Sequence, residues 1–257
     1  MSYLLGDNDI AARRLKIVAE IFAPSTEAFL LDVNPLRPEL TLDLGCGPGH
    51  TTRLLARTLK GSTAIGMDSS EKFIGEAVGS QNAKGISFYR HDVTKTPFPV
   101  GPADVIFSRY VLLHLESPHS TVGKWITQLK TGGLLLLEEL EQIQTSENLF
   151  QKYVNLLDRS LATQDKTMFI GPTIASVPLD GAKIKLNRVK EIKVSAKDAA
   201  TMFLMNMLTL RKSPHVRALY HDEEINQFMG DLERVMDEKT TMAAVDWQLR
   251  QVVIQRN

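Results

Sequence analysis

Three features of the 257-residue chain predict an α/β fold built on a mostly parallel sheet. Short apolar strands alternate with amphipathic helices, an order typical of parallel strands joined by right-handed crossovers. Residues 103–108 are almost wholly apolar, as expected of a strand that is covered on both faces. A glycine-rich stretch, residues 45–49, directly follows the first predicted strand.

Residues 1–37 are expected to form a helical cap ahead of the sheet. Apolar residues from Leu15 to Phe22 have helical spacing, and Pro24 is expected to end this helix because proline lacks a backbone N–H. Ser25 is then expected to cap a second, short helix that ends near residues 35–38.

The first five strands are predicted from apolar runs bounded by turn residues. These strands are residues 40–44, 63–67, 86–90, 103–108 and 134–137. The helices between them are predicted to begin after residue 49, after Ser69-Ser70 and at Ser117-Pro118, and Gly132-Gly133 is expected to close the last one.

The second half of the chain is less regular. Helices are predicted over residues 146–163, 196–212 and 223–239, with a stretch broken by glycine and proline at 171–181. Alternating apolar and polar residues predict strands over 184–194 and 247–255. The length fits one large domain or one domain with an elaboration.

The composition excludes several classes of protein. The chain is 43% hydrophobic and 23% charged, with 30 basic and 30 acidic residues and a formal net charge of zero. It is too apolar for a disordered chain, and it has no bulk charge that would attract nucleic acid or an anionic membrane.

The single cysteine, Cys46, cannot form an internal disulfide, and no apolar run is long enough to span a membrane. Asp7 and Asp9 lie where a signal peptide would be basic, so a cytoplasmic protein is expected.

The strongest functional signal is the sequence Asp-Leu-Gly-Cys-Gly-Pro-Gly at residues 43–49. Glycines at a strand-to-helix turn let the backbone approach a ligand, and the helix N-terminus favours anionic groups. Asp68 ends the next strand, where a carboxylate can accept both hydroxyls of a ribose. Asp43, just before the glycines, would repel a pyrophosphate but could hold an ammonium group. The pattern favours an adenosine with an amino-acid tail, S-adenosylmethionine.

Together with His91-Asp92-Val93 and residues 104–115, these residues resemble a class I S-adenosylmethionine-dependent methyltransferase. The resemblance covers about residues 38–140, which would form the cofactor-binding core. It is strongest to small-molecule methyltransferases of the ubiquinone and menaquinone type and to their natural-product relatives. It implies a Rossmann-like, doubly wound, seven-stranded sheet, whose last two strands are the two predicted in the second half.

The same resemblance implies how the rest of the chain is organised. Residues 141–257 would form the acceptor side, with a helical lid insertion at residues 196–243. A methionine-rich helix such as 196–212 adapts to irregular apolar ligands, although plain core packing is the alternative. Near the N-terminus, Tyr3 to Gly6 with Arg14-Leu15 resemble an opening motif of some such enzymes, but Val18 stands in a region where those relatives often have Gln.

The resemblance also implies the residues that contact the cofactor, S-adenosyl-L-methionine. Gly45, Cys46 and Gly47, near Asp43, would line the methionine tail, and Tyr3 and Arg14 would cover it. Asp68 and Ser69 would bind the ribose, and Asp92 and Val93 would bind the adenine. Ser108 and Arg109 would close the floor under the sulfonium.

Methyl transfer from a sulfonium is an in-line displacement, so alignment and exclusion of water supply much of the catalysis. A base is needed only if the acceptor must lose a proton first. His114, which follows the fourth strand, is the candidate catalytic residue, with a purely structural histidine as the alternative. Glu138 and Glu139, expected at the same rim, are weaker candidates. No spacing of cysteine, histidine or acidic residues predicts a metal site.

The expected function is methyl transfer to an oxygen or nitrogen of a small, fairly apolar metabolite, such as a secondary metabolite. Nucleic acid and membrane partners are not expected, because the charge is neutral and no Asn/Asp-Pro-Pro-aromatic motif is present. A protein of this fold that binds the cofactor but acts as a non-methylating catalyst or a regulator remains an alternative. The sequence does not identify the acceptor or the oligomeric state.

Overall fold

The computed structural model describes residues 6–33, 37–80, 84–176, 179–236 and 241–257. Within these ranges, the strands are β1 (Leu40–Leu44), β2 (Thr63–Asp68), β3 (Ile86–Arg90), β4 (Ala103–Arg109), β5 (Leu129–Gln144), β6 (Ala182–Val194) and β7 (Val245–Arg256). The helices are α1 (Asp9–Val33), α2 (His50–Thr58), α3 (Glu71–Gly79), α4 (Pro118–Thr127), α5 (Asn148–Ala162), α6 (Gly171–Ile174), α7 (Ala196–Leu210), α8 (Pro214–Arg217) and α9 (Asp222–Val235). A 3₁₀ turn spans Leu112–His114.

The seven strands form one sheet in the order β3-β2-β1-β4-β5-β7-β6. The strands from β1 to β5 pair in parallel, whereas β7 is antiparallel to both of its neighbours, β5 and β6. The predicted doubly wound, mostly parallel α/β sheet is therefore confirmed. The strand order reverses between β1 and β4, and a crevice opens beyond the carboxyl ends of parallel strands at such a point. This topology positions the site.

The N-terminal segment differs from its prediction. A single helix, α1, runs through Pro24, where the sequence predicts two helices. Pro24 cannot donate to the carbonyl of Glu20, but both residues lie on the exposed face of α1, where water can hydrate that carbonyl. The opposite face buries Phe22, Phe29 and Leu30 completely, and this apolar burial stabilises one continuous helix.

Strand β5 is much longer than predicted and includes the glycines that were expected to close the preceding helix. Helix α4 instead ends at Thr127. A Cβ on Gly133 would lie 2.9 Å from the carbonyl oxygen of Lys130 and 3.1 Å from that of Ala103. Gly133 is thus required where β5 passes close to β4, and a side chain there would push the two strands apart.

The insertion predicted as a lid lies between β6 and β7 and contains α7, α8 and α9. Its apolar faces share one buried cluster with α5 and with Phe22 of α1. Phe203 of α7 stacks on Tyr153 of α5, with ring centroids 3.8 Å apart. No helix in the described part of the chain has the length and apolar character that a membrane crossing requires.

Candidate functional site

The glycine-rich loop joins β1 to α2 at the carboxyl edge of the sheet. The backbone N–H groups of Gly45 and Cys46 donate to the carbonyl of Met67, at 2.8 and 3.1 Å, and tie the loop to the end of β2. Gly45 has a φ of 68°, and a Cβ there would lie 2.3 Å from Cγ2 of Val111. Both the left-handed backbone and this contact require glycine.

Asp68, at the end of β2, holds the loop from the other side. Its Oδ2 accepts from the backbone N–H of Gly47 at 2.9 Å, and its Oδ1 accepts from the backbone N–H of Ser70 at 2.8 Å. Burial raises the pKa of Asp68 above its usual range, and the two backbone N–H donors partly oppose this by stabilising the carboxylate. Asp68 is therefore both a wall of the crevice and a brace for the loop.

Asp43 lies beneath the loop. Its Oδ2 accepts from the hydroxyls of Thr51 and Thr52, each at 2.6 Å, and thereby anchors the first turn of α2. Burial raises the pKa of Asp43 to about 6, against the two threonine hydrogen bonds and the attraction of Arg109. The side chain does not line the cavity described next, although the sequence predicts it near the ligand's ammonium group.

A cavity of about 620 Å³ opens above this loop, within the size range of small-molecule sites. Nine of the residues predicted as site residues line it: Gly45, Cys46, Gly47, Asp68, Ser69, Asp92, Val93, Arg109 and His114. They come from the ends of β1, β2, β3 and β4 and from the loops that follow, so the parallel sheet brings together residues that are distant in sequence.

The remaining predicted residues have other positions. Ser108 is fully buried, and its hydroxyl has no hydrogen-bond partner among the described residues. Arg14 lines a second cavity instead of the first. Tyr3 lies outside the described residues.

The side of the cavity predicted to bind adenine is held by Thr94 and Trp125. Asp92 Oδ1 accepts from the backbone N–H of Thr94 at 3.0 Å and from its hydroxyl at 2.7 Å. The Thr94 hydroxyl, as the main cause, lowers the pKa of Asp92. The Trp125 indole N–H donates to the carbonyl of Val93 at 2.8 Å and fixes the backbone of this segment. Asp92 is thus an ionised acceptor in a defined position.

A second cavity, of about 110 Å³, adjoins the first and is mostly apolar. Both cavities are lined by Leu15, Val18, Tyr110, His114 and Leu161. The other walls of the second cavity come from α1, β5, α5, α7 and β7. Helix α7 contributes Met202 and Asn206. Helix α7 therefore serves both as core and as part of the cavity wall.

His114 lies in the 3₁₀ turn after β4, where the two cavities meet. Burial, with the neighbouring charges of Arg14 and Lys166, lowers the pKa of His114 to about 3. Lys166 Nζ also donates to the His114 carbonyl at 3.0 Å. The imidazole is therefore neutral at neutral pH, able to accept a proton but only weakly basic.

Glu138 and Glu139 are fully buried and do not reach the rim where the sequence places them, so that expectation is wrong. Glu138 accepts from the hydroxyl of Thr26 and, at 2.7 Å, from the side-chain amide of Gln251. Glu139 Oε1 accepts from the backbone N–H groups of Val111 and Leu112, both at 2.9 Å. Burial raises the pKa of Glu139 to about 8. The two carboxyl groups position α1 and the 3₁₀ turn.

Several cavity residues were not predicted from the sequence. Leu15, Val18 and Ala19 of α1 line the larger cavity, although their helical spacing is equally typical of core residues. Gln164 and Lys166 follow α5 and reach the cavity only through tertiary packing, so no local signal marks them.

The lining fits an adenosyl ligand with an amino-acid tail. Gly47 lines the cavity with a φ of 52°, and a Cβ there would lie 3.3 Å from Cδ1 of Leu15 in α1. The left-handed backbone and this close approach both favour glycine at this position. The described residues contain no group of three or more histidine, cysteine or acidic side chains able to hold a metal ion.

The sequence model of the methyltransferase domain family matches residues 42–137, the segment that contains the glycine loop, Asp68 and β4. This segment of the chain is similar to a methyltransferase domain. The matched segment spans nearly all of the predicted cofactor-binding core.

Two known methyltransferases are similar to part of this chain. Trans-aconitate 2-methyltransferase of Methylobacterium nodulans is 28% identical over 144 residues, covering 56% of this chain and 54% of the relative. The tRNA U34 carboxymethyltransferase of Shewanella pealeana is 33% identical over 113 residues, covering 42% of this chain and 33% of the relative. The matches therefore span about half or less of the length of these relatives.

Two solved structures share the fold across nearly the whole chain. Coclaurine N-methyltransferase bound to N-methylheliamine and S-adenosylhomocysteine superposes with a TM-score of 0.55 at 16% identity, covering 91% of this chain and 72% of that one. Phosphoethanolamine N-methyltransferase 2 of Haemonchus contortus gives 0.52 at 16% identity, covering 96% of this chain and 60% of that one. Identities this low indicate a shared fold around the methyltransferase domain.

Proposed function

We propose that this chain binds S-adenosylmethionine in the larger cavity and transfers its methyl group to an oxygen or nitrogen of a small, fairly apolar molecule in the adjoining cavity. The observation that carries the proposal is that the two cavities share lining residues, among them His114 and Tyr110. The larger cavity includes the carboxylates of Asp68 and Asp92, which suit a nucleoside, and the smaller one has the apolar lining of an acceptor site.

The cofactor part of the proposal rests on the lining of the larger cavity. Asp68 would accept from the ribose hydroxyls and Asp92 from the adenine amino group, because both carboxylates line the cavity. The backbone of Gly45, Cys46 and Gly47 would lie along the methionine tail, because these residues line the same cavity. Relatives of the methyltransferase domain that were solved with S-adenosylhomocysteine, such as coclaurine N-methyltransferase, support the choice of cofactor.

Methyl transfer needs little from the protein beyond alignment of the reactants and exclusion of water. S-adenosylmethionine supplies an electrophilic methyl group carried on a sulfonium sulfur. The lone pair of the acceptor forms a bond to this methyl carbon, the carbon–sulfur bond breaks with its electrons staying on sulfur, and the acceptor gives up its proton. The apolar walls exclude water, and the neutral imidazole of His114 lies where the two cavities meet and could take that proton.

The acceptor is proposed to be small because the second cavity has a volume of only about 110 Å³. Its walls are chiefly leucine, phenylalanine, tyrosine, methionine and tryptophan side chains, which fit an apolar skeleton. The names of the relatives point to different acceptors, from trans-aconitate to a tRNA base, so the acceptor is inferred from this cavity alone.

A methyl-transfer assay tests the proposal. The purified chain is incubated with methyl-tritiated S-adenosylmethionine and a panel of small phenols, amines and carboxylic acids. We expect label in at least one acceptor, S-adenosylhomocysteine in equal amount, and loss of both in Asp68→Ala. Saturable binding of S-adenosylhomocysteine without transfer to any acceptor would instead favour the non-methylating catalyst or regulator.

A further inference from the structure

Arg14 is a buried cation that has no ion-pair partner among the described residues. It is 5% exposed and lies on the face of α1 that lines the second cavity. Its Nη1 donates to Oδ1 of Asn206 at 3.0 Å, but its Nε and Nη2 have no hydrogen-bond partner among the described residues. Burying a charge without a counter-ion costs several kcal/mol in general, so such an arrangement requires a reason.

The two unpartnered nitrogens form one edge of the guanidinium. Nε and Nη2 point in the same direction, so their N–H groups can donate in parallel to the two oxygens of a single carboxylate. The third nitrogen is held by Asn206, whose side-chain amide in turn donates to the hydroxyl of Tyr153. These two hydrogen bonds, to residues of α7 and α5, fix the plane of the Arg14 guanidinium, and its free edge is therefore preorganised.

None of the described residues that line this cavity is acidic. Its polar lining consists of Arg14, Asn206, His114, Tyr110, Tyr153 and Trp247. The Tyr110 hydroxyl and the Trp247 indole N–H are buried with no partner of good hydrogen-bond geometry among the described residues. Lys166 in the adjoining cavity adds a second positive charge near His114. The second cavity thus has mostly apolar walls and carries the positive charge of Arg14.

We infer that the acceptor molecule carries a carboxylate, which binds the Nε and Nη2 edge of Arg14, while its apolar skeleton fills the second cavity and orients the methylated atom towards the larger one. That the bound molecule is the methyl acceptor rests on the proposed function, whereas the carboxylate site itself is defined by the geometry of Arg14. It places Arg14 in acceptor recognition instead of cofactor binding.

The experiment uses hexanoate, a small aliphatic carboxylate, and hexanamide, its neutral counterpart of similar shape. Calorimetry measures both ligands with the wild-type chain and with Arg14→Met, Arg14→Lys and Arg13→Met. Arg13 is the neighbouring, exposed arginine on α1 and serves as the matched control. S-adenosylhomocysteine binding is measured on the same four proteins.

We expect the wild-type chain to bind hexanoate about 10-fold or more tighter than hexanamide, as hydrogen bonds to a buried charge allow. Arg14→Met should lose this preference, Arg14→Lys should retain part of it, and Arg13→Met should behave as wild type. Affinity for S-adenosylhomocysteine should be the same in all four. Arg14→Met should also melt no lower than wild type, because it removes an unpaired buried charge.

Two results would overturn the inference. One is a wild-type chain that binds hexanoate no better than hexanamide, a comparison that needs no variant to fold. The other is an Arg14→Met variant that loses S-adenosylhomocysteine and keeps any hexanoate preference, which would assign Arg14 to the cofactor. Failure of the wild type to bind S-adenosylhomocysteine, with the hexanoate preference intact, would contradict the proposed function and not the carboxylate site.

Discussion

Asp68 and Gly47 are joined by a hydrogen bond of 2.9 Å from the Gly47 N–H to Oδ2 of the carboxylate. The bond links the end of β2 to the middle of the glycine loop, so the residue expected to bind the ribose also fixes the loop expected to face the methionine tail. The two halves of the cofactor cavity therefore depend on one side chain.

Asp68→Ala should weaken S-adenosylhomocysteine binding at least about 10-fold, because it removes a charged acceptor as well as the brace on Gly47. Calorimetry measures the affinity directly. Asp32→Asn is the control, since Asp32 is exposed, pairs with Arg188 of the edge strand β6 and lines neither cavity. Equal affinity in Asp68→Ala and Asp32→Asn would remove Asp68 from the cofactor site.

Gly45→Ala should destabilise the chain and abolish cofactor binding. A Cβ there would lie 2.3 Å from Val111 Cγ2, and the φ of 68° is strained for any side chain. The matched control is Gly75→Ala in α3, where a Cβ meets no atom within 4 Å. Alanine in the helix should stabilise by about 0.5–1 kcal/mol. Chemical denaturation measures both, and two variants with the same sign of change would contradict the structure.

His114→Gln should lower kcat with the acceptor found in the methyl-transfer assay and leave S-adenosylhomocysteine affinity unchanged. His119→Gln is the control, because His119 is exposed on α4. Since the pKa of His114 is about 3, the imidazole is already neutral at pH 5, and kcat/KM should show no acid limb near pH 6.5 from this group. Wild-type turnover in His114→Gln would exclude a role as base.

Glu139→Gln should change the pH dependence of stability. Burial raises the pKa of Glu139 from 4.5 to about 8, with the charge of Glu138 beside it, so the folded state holds a proton that the unfolded state releases. That stabilisation is full below pH 4.5 and is lost as the pH rises through about 8. Glutamine can still accept from the backbone of Val111 and Leu112 and does not ionise.

The difference in unfolding free energy, Glu139→Gln minus wild type, should therefore grow from pH 5 to pH 8. Its slope should approach, at most, about 1.4 kcal/mol per pH unit, the value for one proton. Urea denaturation at each pH measures it, with exposed Glu20→Gln as the control. A difference that stays constant across this range would show that Glu139 ionises normally in the folded chain.

The central part of the fold was predictable because its signals are local. The strand before Gly45, the glycines and the aspartate that ends β2 each show in a few consecutive residues, and the parallel sheet then brings Asp68 and Gly47 together. Burial along β4 is visible in its apolar run for the same reason.

Other features of the fold and of the site were less predictable because they depend on tertiary packing. The continuity of α1 through Pro24 depends on which face is exposed, and the length of β5 depends on the close approach at Gly133. The position of Arg14 depends on Asn206, 192 residues further along the chain. No local pattern reports a guanidinium edge left free by its neighbours.

The most direct test of the central claim is equilibrium binding of S-adenosylhomocysteine to the wild-type chain, in competition with NAD and ATP. The lining by Gly47, Asp68 and Asp92 predicts one saturable site per chain that neither nucleotide displaces at comparable concentration. Absence of saturable binding, or displacement by NAD, would contradict the assignment of the cavity to an adenosyl cofactor with an amino-acid tail.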